Sequence, residues 1–72
     1  MARLRVLSGR QIIRILERQG FVFERQRGSH VTMRRRAEPG QQSVTVPLHR
    51  AVKRKTLMRI INRSGLPRDL FE

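Results

Sequence analysis

Three short runs of alternating apolar and polar side chains lie between two stretches of helical spacing, and this order constrains the chain more than any other feature. Phe21 and Phe23 alternate with Val22 and Glu24, ending near Arg25 or Gln26; Val31 and Met33 alternate with His30, Thr32 and Arg34; Val44 and Val46 alternate with Ser43 and Thr45 up to Pro47. A period of two is that of a half-buried strand. Arg27-Gly28-Ser29 separates the first two runs and Glu38-Pro39-Gly40-Gln41 the last two, both turn-forming compositions. Pro47 has no backbone donor, which predicts that the third strand is an edge strand ending there.

The flanking stretches read as helices. Ser8 and Gln11 form a capping-box pattern, Ile12, Ile13, Ile15 and Leu16 follow at helical spacing, and Gly20 sits where a helix ends. The spacing predicts a first helix over Gly9–Gln19. A second, over Arg54–Arg63, carries Leu57, Met58, Ile60 and Ile61 on one side, with Gly65 and Pro67 to stop it. Leu70 and Phe71 are expected to fold back as a last turn. The order is α-β-β-β-α: an α+β, two-layer arrangement in which a three-stranded antiparallel sheet carries both helices on one face. With 72 residues and no linker or repeat, residues 1–72 are expected to form a single domain, and with no cysteine nothing staples it. Double-stranded RNA-binding domains use the same element order.

A register follows from the turns. Centring the second turn on Pro39-Gly40 sets Val31 against Leu48 and Met33 against Val46. A three-residue first loop sets Phe23 beside Met33 and Phe21 beside Arg35. The opposite, open face then holds His30 and His49 roughly across from one another, with Thr32, Arg34, Glu24 and Gln26.

Charge points to the class of partner. There are 17 basic residues against 5 acidic ones, a formal charge of +12, and all the basic residues except Lys53 and Lys55 are arginine. Arginine binds phosphate bidentately and stacks on bases, so the bias suits a nucleic acid. Neither helix pairs a basic face with tryptophan or a broad apolar face, which argues against a membrane surface. Arg3 and Arg5 interrupt the short apolar stretch near the start, which argues against a signal peptide, and the expected location is the cytoplasm.

Among candidate catalytic groups, His30 stands out. It directly follows Gly28-Ser29 at a hairpin mouth, where backbone approaches a phosphate closely, and Arg25, Arg27 and Arg34 flank it. Histidine titrates near neutrality, which suits a general base or acid. RNA carries its own nucleophile, the 2′-hydroxyl, so cleavage requires a base, an acid and charge stabilisation, with no metal, cofactor or covalent nucleophile. The residues alone leave His30 open between that role and a phosphate-contacting surface histidine. His49 reads as a turn-capping residue, a phosphate contact or a second acid. Ser29 lacks the partners of a nucleophilic triad. The scattered acids and separated histidines have no metal-site spacing. A non-catalytic RNA-binding module and a small ribosomal-type protein are the alternatives.

The ordered set Gly20-Phe21, Arg25, Gly28-Ser29-His30, Val44-Thr45-Val46-Pro47-Leu48-His49, Thr56-Leu57-Met58-Arg59-Ile60-Ile61 and Gly65-Leu66 resembles the HicA toxins of type II toxin–antitoxin pairs, over about residues 8–71. The resemblance implies a double-stranded-RNA-binding-like fold and an mRNA interferase, an endoribonuclease that cleaves mRNA independently of the ribosome in a stress response. It places the catalytic histidine at His30, with Gly28 and Ser29 beside it in the motif, and implies a HicB antitoxin as partner. One departure is Arg54-Lys55-Thr56, where family members often have Pro-Gly-Thr.

Overall fold

A computed structural model describes residues 5–37 and 40–72. Arg3 and the Glu38-Pro39 half of the second turn lie outside the described residues. Helix α1 spans Gly9–Arg18. Ser8 Oγ accepts from the Gln11 amide at 3.1 Å while Gln11 Oε1 accepts from the Ser8 amide at 2.8 Å, the reciprocal capping box that the spacing predicts. Helix α2 spans Arg54–Ser64 and ends at Gly65 in the left-handed conformation. Each helix differs from expectation by one residue at its end, which is ordinary fraying. Strands β1 (Val22–Arg27), β2 (His30–Ala37) and β3 (Gly40–Pro47) form one antiparallel sheet in the order β1-β2-β3. Pro47 therefore ends an edge strand, as its missing donor requires. A 3-10 turn, Arg68–Phe71, completes the α+β fold.

Register departs from expectation at both hairpins. Strands β2 and β3 pair two residues out, with Val31 facing Val46 and Met33 facing Val44 rather than Leu48 and Val46. The last pair is Ala37 with Gly40, so the turn centres one position earlier than expected. The slip is even, and the apolar face survives it.

The first turn holds two residues, not three, because Arg27 pairs with His30 across Gly28-Ser29. Gly28 has φ 59° and no described non-glycine residue has positive φ. A positive φ at the first central residue alone is the type II′ pattern, whose twist matches a hairpin. A bulge between Phe23 and Arg25 absorbs the change, so Phe23 still faces Met33 as expected. Past the bulge the faces exchange. Arg25 and Arg27 join Thr32 and His30 on the open face, while Gln26, expected there, pairs with Val31. Glu24 does reach the open face, where its carboxylate lies 3.5 Å from Arg34 Nε.

Ile12 and Leu16 of α1, and Leu57, Ile60 and Ile61 of α2, pack with Val31, Met33, Val44 and Val46 in one core that also takes Leu7, Phe21, Val52 and Phe71. Both helices cover the same sheet face, and both rest against β3. The far side of outer strand β1 is left bare, so Phe23, assigned to the core by alternation, is 56% exposed. Phe71 is fully buried instead, as the tail folds back. Helix α1 starts against the end of β3. The Gly9 amide donates to the His49 carbonyl at 2.9 Å, and a Cβ on Gly9 would fall on the Pro47 carbonyl and 2.9 Å from Leu48 Cα. Only glycine permits that approach. No helix among the described residues is long and apolar enough to cross a membrane.

Candidate nucleic-acid interface

His30 opens β2, and its place is set by the turn before it. The Gly28 carbonyl accepts from Gln26 Nε2 at 2.9 Å, and the Ser29 carbonyl accepts from the Leu48 amide at 2.7 Å. The turn is thereby held from both of its flanks, and His30 emerges exposed on the open face between Arg27 and Pro47, its ladder partners. A Cβ on Gly28 would meet nothing within 4 Å, so glycine is required there by backbone conformation and the space beside it is open. The contacts that hold this turn are made by the Gly28 and Ser29 backbone carbonyls.

Two hollows meet at His30. The smaller, about 270 Å³, is lined by Arg25, Arg27, His30, Thr32 and Thr45. The larger, about 510 Å³, runs across β3 to α2, with Arg25, His30, Thr32 and Thr45 on the sheet side, His49 at one end, and Thr56, Arg59 and Arg63 along the helix. Thr32 and Thr45 touch across the strands, Oγ1 to Oγ1 3.3 Å, and give the floor a hydroxyl pair beside the imidazole. The histidines share the larger hollow but are not opposite each other as expected, because the two-residue slip sets His30 against Pro47. His49 also has a structural use, since its carbonyl receives the α1 amide bond described above.

The flanking arginines are not equivalent. Arg25 ion-pairs with Glu24, whose other oxygen faces Arg34. Arg27 has no carboxylate partner among the described residues. Arg34 lines neither hollow; it lies four positions along β2 from His30, about 13 Å at the rise of a strand. Exposed ion pairs contribute only about 0.2–1 kcal/mol, so Glu24 is a weak tie on Arg25. Among the described residues, no three His, Asp or Glu side chains converge in the manner of a metal site.

Sequence reasoning missed Thr45, Thr56, Arg59 and Arg63 as site residues. Signals for them exist: Thr45 shares the strand parity of Ser43 and Pro47, and Thr56, Arg59 and Arg63 recur at the spacing of one helix face. What spacing cannot supply is that this face turns toward His30.

A family model described as the HicA toxin of bacterial toxin–antitoxin systems matches residues 9–66. This chain belongs to the HicA toxin family. It is therefore the toxin of a toxin–antitoxin pair. The matched stretch contains both hollows and every residue named around them, from Arg25 to Arg63. A comparison with curated proteins returns no match.

Proposed function

We propose that this HicA-family toxin is an endoribonuclease that cleaves mRNA in the cytoplasm, with His30 as its catalytic acid–base, and that a HicB-type antitoxin neutralises it. The supporting observation is the exposed imidazole of His30 at the meeting of two hollows lined by Arg25 and, in the smaller one, Arg27. In this reading His30 takes the proton of a 2′-hydroxyl, whose oxygen attacks the adjacent phosphorus. Arg25 and Arg27 hold the phosphate and its developing charge, Arg34 meets a phosphate further along β2, and Gly28-Ser29 keeps the backbone out of the way. His49, on the rim of the same hollow, is the first choice for the acid that protonates the leaving 5′-oxygen, and otherwise contacts phosphate. No metal or cofactor enters the scheme. Residues 1–72 act as one HicA-like unit, since Phe71, beyond the matched stretch, packs into the same core.

Incubating the protein and its His30→Ala variant with RNA tests this. The wild-type protein should yield 2′,3′-cyclic phosphate ends, in EDTA as well as without it, and His30→Ala should lose at least a hundredfold in rate, the lower end of typical general acid–base contributions of about 10²–10⁴-fold. Because His30 is exposed, the variant should keep its circular dichroism spectrum. Products bearing 5′-phosphate, or equal cleavage by both proteins, would refute the role of His30.

A further inference from the structure

Helix α2 presents Thr56, Arg59 and Arg63 along one stripe, each about one helical turn from the next, on the wall of the larger hollow opposite the sheet. Arg59 and Arg63 are exposed and have no carboxylate partner among the described residues, whereas Arg35 is engaged internally, Arg25 and Arg34 share Glu24, and Arg68 faces Glu72. We propose that this stripe is a second phosphate-binding row, so that one strand of RNA lies across β3 with one phosphate at His30 and the next ones on α2. The identity of the polyanion rests on the reading of the protein as an RNA-cleaving toxin; the row itself rests on the geometry of the hollow.

Three properties of the hollow select a single strand gripped by its backbone. Its volume of about 510 Å³ is that of a pocket for a nucleotide-sized ligand, which matches one strand followed along its backbone. None of the three phenylalanines lines it, so the hollow offers no phenylalanine for a base to stack on, and its cationic side chains make the grip mainly electrostatic. The Thr56 hydroxyl and the guanidinium groups of Arg59 and Arg63 are all donors suited to phosphate oxygens, as are the Thr32 and Thr45 hydroxyls on the facing wall. The row therefore contributes affinity with little dependence on base sequence.

The test is binding of a short single-stranded oligoribonucleotide, followed by anisotropy over a salt series, in the His30→Ala background so that the RNA stays intact. Each phosphate contact to a single strand contributes about 0.7 to the slope of log affinity against log salt. Replacing both arginines (Arg59→Gln with Arg63→Gln) should lower that slope by about 1.4. Replacing Arg14 and Arg18 on α1 by Gln removes the same charge away from the hollow and should leave the slope nearly unchanged. An equal fall in both pairs would mean diffuse attraction and overturn the proposal, as would an unchanged slope in the Arg59/Arg63 pair. An unchanged slope with lost binding of the antitoxin would assign the stripe to the protein partner instead, and so also overturn it. If the slope falls as expected while the wild-type protein leaves RNA uncut, the binding row stands and the cleavage reading fails.

Discussion

Arg35 holds the carboxyl-terminal ends of both helices with a single guanidinium. Its Nη1 donates to the Gln19 carbonyl at 3.0 Å and its Nη2 to the Ser64 carbonyl at 3.2 Å, while Nε and Nη2 both donate to Gln42 Oε1 at 2.9 and 2.5 Å. The same group lies 4.7 Å over the Phe21 ring. Carbonyls at helix ends are unpaired and partly negative, so a planar cation with several donors fits them better than lysine does. Hydrogen bonds to charged groups contribute about 1.5–3 kcal/mol. Replacing Arg35 by Ala should therefore lower the unfolding free energy by at least about 2 kcal/mol and Tm by about 8–16 °C, and Lys should restore only part of it; a thermal melt of the two variants checks this. In sequence Arg34-Arg35-Arg36 is the densest charge run, a strand end from which at least one side chain must point to the open face. The fold divides it: Arg34 goes to Glu24, Arg35 inward, and Arg36 to solvent.

The helices contrast at their starts. Helix α1 is capped by side chains whose spacing is visible in the sequence, whereas α2 begins on Lys53 with no side-chain cap and no acidic residue in its first turn. Lys53, Arg54 and Lys55 all sit at the end of α2 where the helix dipole disfavours cations. Lys53 has the extended backbone of a good cap residue (φ −60°, ψ 147°) and is exposed. A Lys53→Asp change should therefore stabilise the protein by about 1 kcal/mol, or roughly 4–8 °C in Tm. Lys53→Ala, which removes the charge without adding an acceptor, should deliver less. Equal melting temperatures for the two variants would mean that the missing acceptor contributes nothing. The departure at Arg54-Lys55 is thus a local electrostatic burden that α2 carries while its apolar face keeps it in the core.

On the scale of the whole molecule, +12 on 72 residues without a disulfide sets stability and ligand affinity against each other. Self-repulsion destabilises the compact state, and the same charge attracts a polyanion. Raising salt from about 50 to 200 mM should raise Tm through screening while it weakens RNA binding by at least tenfold. A fall in Tm over that range, measured with binding on one preparation, would show that specific ion pairs outweigh the net repulsion.

The sequence by itself determined the element order, both helix spans to within a residue, the edge placement of β3 and the candidacy of His30. Those rest on local rules: periods of two and of 3.6, a capping box, a proline without a donor, a motif at a turn. Only the tertiary structure decided which residues stand beside His30. A two-residue turn in place of three, with a bulge at Glu24, moved Arg25 and Arg27 onto the open face and Gln26 off it, and a two-residue slip set His30 against Pro47 instead of His49. Ladder register depends on turn length and on pairing between distant residues, which no local pattern encodes. The arginines of α2 reached the site for a similar reason: Leu57, Ile60 and Ile61 bury against the sheet beside β3, and that packing turns the Arg59–Arg63 stripe toward the histidine.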